Sequence, residues 1–175
     1  MGSSFFANLQ LLEILAFFSG YPLLYTIIYF IAEKQKKNGI TKSRLILLLP
    51  YTYAMLGSLY IGLQLKNFYP DYSINHIKQI IHQPFLMGWG LLSTIFWIPA
   101  LRKKTWLSLL HSLVFLRILI IDLFILTPQL AGDNSPIKNE MKMYTGSLIL
   151  SFVAYSFIGM VYFVITKYSK RKSQG

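Results

Sequence analysis

The chain contains no cysteine, which removes thiolate catalysis, Cys-ligated iron–sulfur clusters and disulfides from its chemistry. Acidic residues are nearly as scarce, at six Asp and Glu in 175 positions. Charged residues of both signs make up 13% of the chain against 54% hydrophobic, whereas a soluble domain carries about a quarter charged. No HExxH, nucleotide-binding loop, nucleophile elbow or paired acidic metal motif is present, so the usual sequence marks of catalysis are missing as well.

What is there instead is apolar length. A helix crosses about 30 Å of hydrocarbon with roughly 20 residues at 1.5 Å each, and five continuous runs near 8–32, 44–65, 83–101, 105–127 and 144–166 reach that length. Continuous runs argue for helices, because the strands of a membrane barrel show short alternating stretches of about ten residues. The expected fold is an all-α integral membrane protein, a compact bundle of five transmembrane helices forming a single domain over 1–175. The first run has no basic residues before it and no small-residue cleavage site after it, so it is expected to stay as a helix.

The net charge of +11 acquires meaning only when it is sorted by loop. Lys34, Lys36, Lys37, Lys42 and Arg44, then Arg102, Lys103 and Lys104, then Lys167, Lys170, Arg171 and Lys172 put twelve cations on one side of the membrane. Lys66, Lys78, Lys138 and Lys142 put four on the other, and Arg117 lies inside a run. That alternation predicts an external N-terminus and a cytoplasmic C-terminus in a cell membrane, the bacterial inner (plasma) membrane being the expected one. The cations then face anionic lipids at the cytoplasmic surface. No nucleic-acid partner is expected, since no nucleic-acid-binding motif accompanies the charge.

Local signals add detail. Gly20, Tyr21 and Pro22 predict a kink near Phe18, because proline removes a helix hydrogen bond. Ala54, Ser58 and Gly62, and Ser147, Ser151 and Gly159, are small residues spaced to let helix backbones approach. Ile74, Ile77, Ile80 and Ile81 share one helical face behind Phe68, Tyr69 and Tyr72, which predicts a short interfacial helix between spans two and three. The stretch LTPQLAGDNSPIKNE, 126–140, reads as a turn-rich external connection.

The functional signal is a set of polar residues at membrane depth. Measured from Lys104, Arg117 lies about 20 Å into span four and Asp122 about 27 Å. At about 100° per residue, His111, Phe115, Ile118 and Asp122 share a face, and Arg117 points some 140° away from Asp122. The first face is expected to meet a partner chain or a lipid-like ligand. Glu13 is the expected counter-ion for Arg117, with Gln64, His82 and Gln83 completing a polar cluster at outer-leaflet depth. A charge facing lipid at depth costs from about 2.5 kcal/mol upward, so each of these groups must find protein or water. His82 and His111 lie at different depths and cannot share one iron; no cofactor, metal site or catalytic residue is expected. The favoured function is a small non-catalytic helical subunit or accessory protein of a larger membrane complex, with other membrane subunits as partners. A small transporter, channel or proton-path protein using Glu13, Arg117 and Asp122 is the alternative, and a haem-, quinone- or lipid-associated membrane enzyme the third.

Overall fold

A computed structural model describes residues 2–34, 42–129 and 135–172, with side chains at 10–34, 45–121 and 141–169. Every described element is helical: α1 (Gly2–Phe18), α2 (Tyr21–Lys34), α3 (Lys42–Phe68), α4 (Ile74–Ile80), α5 (Pro84–Leu92), a 3-10 segment (Ser93–Trp97), α6 (Pro99–Arg102), α7 (Thr105–Gln129) and α8 (Ser135–Lys172). Three helical stretches, Gln10–Lys34, Leu45–Phe68 and Met141–Ser169, are long and apolar enough to cross a membrane, and Pro84–Trp97 and Thr105–Ile121 are shorter apolar segments among the described residues.

The first stretch is broken, as its proline demands. Pro22 has no N–H and its ring crowds the carbonyl four residues back, that of Phe18, where α1 ends. The gap is closed by protein groups: Ser19 N–H bonds Leu15 O at 3.0 Å, and Gly20 N–H donates to Ser147 Oγ on α8 at 2.9 Å. Gly20 is pressed against α8 so closely that a Cβ there would overlap Leu148 N and Cα and the Ser147 carbonyl carbon. Ser147, one of the small residues of α8, thus has a named partner.

Span three departs from the expected single helix over 83–101. Its β-branched and aromatic run Ser93–Trp97 tightens into 3-10 geometry, and Ile98 is extended at φ −69°, ψ 125°. Both follow from residue type, since such side chains lose rotamer freedom in an α-helix and the residue before Pro99 is excluded from the α region. On the facing side α3 offers Gly57, whose Cβ would overlap Ser93 Oγ. The expected loop at 126–140 is also largely helical, because α7 continues to Gln129 and α8 begins at Ser135. A serine followed by proline is a helix start, proline's missing N–H being harmless in a first turn.

Apolar helices carry their hydroxyls at no loss when each satisfies itself locally. Thr26, Thr52, Ser58, Thr145 and Thr166 all donate to the carbonyl four residues back. Helix α4 is held from outside: Ser73 Oγ accepts from His76 N–H at 3.3 Å, and Asp71 accepts from Ser73 N–H and Oγ at 2.9 and 3.0 Å. The Ser73 backbone hydrogen bond, followed by that of its hydroxyl, holds the exposed Asp71 carboxyl below its ordinary value. The core is aromatic. Phe18 stacks on Phe115 with ring centroids 4.8 Å apart and meets Tyr53 and Tyr60 edge-on at 5.7 and 5.5 Å.

Gly20→Ala is expected to destabilise the fold by about 1–3 kcal/mol, because its methyl meets backbone that cannot move aside. Gly62→Ala, with nothing within 4 Å of its Cβ, is expected to be neutral or stabilising. Thermal unfolding of the two variants in one detergent tests the contrast, and equal midpoints would remove the close approach as a stability determinant.

Candidate functional site

Two polar arrangements interrupt the apolar interior. The first lies where α1 meets the joint between α4 and α5. Gln10 Nε2 donates to Ile80 O at 2.8 Å, while its Oε1 accepts from His82 N–H at 2.8 Å and Gln83 N–H at 3.1 Å. Gln83 precedes α5 and makes no side-chain cap of its own. One amide from α1 therefore supplies an acceptor for the two N–H groups leading into α5 and a donor for the end of α4. One turn along α1, Glu13 Oε2 accepts from Asn67 Nδ2 at 3.2 Å. Gln64, a turn before Asn67 on α3, is 3% exposed.

The expected polar residues are thus distributed unevenly. Glu13 is held by Asn67, and His82 and Gln83 are held through their backbone by Gln10. Arg117 is exposed on α7, and no ion pair joins it to Glu13 among the described residues. The Asp122 side chain lies outside the described residues. Asn67 is the member that charge-centred reading passes over. The available signal was its spacing, three residues from Gln64, which places the pair on one helix face.

The second arrangement is built on the face of α7 that bears His111, Phe115 and Ile118, where residues of this same chain pack on it. Phe115 is fully buried, and Ile118 packs against the core of this same chain. His111 stacks on Trp89 at 4.6 Å and 3° between planes, and Trp89 Nε1 donates to His111 O at 3.2 Å. Tyr53 OH lies 2.7 Å from His111 Nδ1 and its ring packs on Tyr21 at 4.5 Å. Tyr21 OH in turn donates to Leu49 O at 3.0 Å and lies 2.9 Å from Ser108 Oγ.

The proton count in this centre is uneven. His111 Nε2 is buried and has no hydrogen-bond partner among the described residues. A neutral imidazole carries one ring proton and the Tyr53 phenol carries one, yet they share a single contact. If Tyr53 donates to Nδ1, the ring proton on Nε2 has no acceptor; if Nδ1 donates, the phenolic proton has none. Trp89, Tyr53, Phe96 and Phe115 pack around the part-buried ring, and the Tyr53 contact joins α3 to α7. Among the described residues no three His, Asp or Glu lie together to hold a metal ion.

No protein-family model matches the chain, and neither does any curated protein or solved structure.

Gln10→Leu leaves the His82 and Gln83 N–H groups and the Ile80 carbonyl without their acceptor and donor. The expected result is faster amide hydrogen exchange at His82 and Gln83, unchanged exchange within α3, and a stability loss of about 1–3 kcal/mol. Unchanged exchange at both amides would show that water or another group replaces the glutamine.

Proposed function

We propose that this protein is a small non-catalytic helical subunit of a larger membrane complex, seated in a cell membrane with its N-terminus outside and C-terminus in the cytoplasm. In this reading five spans cross the bilayer: α1 with α2, α3, α5 with the 3-10 segment and α6, α7, and α8. Helix α4 lies at the outer interface, which agrees with the exposure of Tyr69, Tyr72 and Ile74 around it. The alternating basic loops support the orientation, and the cytoplasmic cations meet anionic lipid there.

The observation that carries the subunit reading is the outer face of α7. Trp106, Leu110, Leu113 and Ile120 are all exposed, and with exposed Arg117 they repeat at steps of four, three, four and three. That spacing is the seam by which two helices pack. Lipid would satisfy the apolar members alone. It does not satisfy a guanidinium about 20 Å from the inner boundary, which needs an anion or a water-lined partner. A neighbouring membrane helix that presents a carboxylate at that depth meets both demands.

The orientation is tested by reporter fusions at Lys37, Ser73, Lys103, Asn134 and Gln174, which should read in, out, in, out, in; one reversed reporter overturns it. The seam is tested with single cysteines, for which a chain without its own is well suited. Leu113→Cys and Ile120→Cys should form cross-links to another chain in native membranes, and Arg117→Met should weaken them. Complete labelling of both by a lipid-soluble maleimide, with no cross-linked species, would show the face open to lipid and end the subunit reading.

A further inference from the structure

Between the first turns of α3 and the second half of α8 runs a groove of about 610 Å³. Leu45 and Leu48 line it from α3, and Ser156, Gly159, Phe163 and Lys167 run along it on α8. Tyr155, also in its wall, is fixed by a hydrogen bond from its OH to Leu45 O at 3.2 Å. The depth comes from Gly159: a Cβ there would touch only Leu48 Cδ1, at 4.0 Å, so the space a side chain would fill is empty.

Length and charge identify an occupant. Ser156 to Lys167 is eleven residues, about 16 Å along the helix, and half of a bilayer's hydrocarbon is about 15 Å. The groove therefore matches one leaflet in length. Its walls are mainly apolar, with the Ser156 and Thr166 hydroxyls among them, and the only charged side chain lining it is Lys167, which is exposed and is followed in sequence by Lys170, Arg171 and Lys172. Charge enters at the one end where a headgroup would lie.

We propose that this groove holds an acyl chain of one anionic phospholipid, with the headgroup phosphate at Lys167. The site is independent of the α7 seam and does not need a partner subunit. Gly159 gives the chain its slot, the leucines of α3 its apolar wall, and Lys167 the preference for a negative headgroup.

The test is native mass spectrometry of the full chain, delipidated in mild detergent and titrated with dioleoyl phosphatidylglycerol or dioleoyl phosphatidylcholine. Wild type should retain one phosphatidylglycerol in preference to phosphatidylcholine. Lys167→Gln should reduce that preference about five-fold, the effect of one cation at a membrane surface. Gly159→Leu should weaken the single tight site at least ten-fold for both lipids, and Gly159→Ala, which fits, should retain it and report on folding. In the wild-type chain a phosphatidylglycerol with a diazirine in its acyl tail should cross-link to Leu48, Ser156 or Phe163, a readout that needs no variant. Equal retention by Gly159→Leu and wild type, no headgroup preference, or cross-links spread over Val153, Phe157 and Val164 away from the groove would each overturn the proposal.

Discussion

In hydrocarbon, a broken turn of helix exposes backbone groups that only protein can satisfy, and the break at Ser19–Gly20 makes that demand in the middle of the bundle. Pro22 imposes the break, and α8 answers it through Ser147. The answer requires backbone against backbone, which is why a residue without a side chain stands at position 20. The change of direction also turns Phe18 and Tyr21, on either side of the break, into the interior, where both are fully buried. Phe18 then gathers Phe115, Tyr53 and Tyr60 around itself. The aromatic core is in this sense a consequence of one proline.

Helices in lipid gain nothing from hiding apolar surface from water, so what selects their partners is close packing and a few hydrogen bonds between elements. Several Ser and Thr hydroxyls among the described residues bond a carbonyl of their own helix. The long-range bonds each join two elements, among them Gln10 to the α4–α5 joint, Glu13 to α3, Gly20 to α8, Tyr21 to α3 and α7, Tyr53 to α7 and Tyr155 to α3. They fix register and rotation in a medium that otherwise leaves both free. The unmatched proton between Tyr53 and His111 is the loose end of this economy. Replacing both by apolar groups of similar shape would remove a bond and an unsatisfied donor together.

The sequence made some of this visible and hid the rest for physical reasons. Composition exposes helical runs, and proline chemistry located the first break because a missing N–H acts wherever it stands. The 3-10 segment went unseen because Ser93–Trp97 has no punctuating residue inside it, only a side-chain preference too weak to read alone. The relative directions on α7 followed from helical periodicity: His111, Phe115 and Ile118 do lie together, apart from Arg117. Which of those faces points inward did not follow, because both are apolar enough for lipid, and hydropathy distinguishes inside from outside only where the outside is water. The search for charge partners likewise favoured Glu13 with Arg117, whereas Glu13 is served by the neutral amide of Asn67. Amides and hydroxyls satisfy a carboxylate at membrane depth without announcing themselves as charges.

Helix α8 stands apart from the other two long apolar stretches. Of its most apolar 18 residues only 11% are buried, against 56% for those of Gln10–Lys34 and 50% for those of Leu45–Phe68. Its attachments are confined to one side, where Ser147, Ser151, Ala154 and Ile158 are buried. The ring contacts of the aromatic centre include no residue of α8 among the described residues. What α8 contributes at the break is the partner of the Gly20 N–H. One serine against one bare backbone position thus sets where along the broken helix this one-sided element sits.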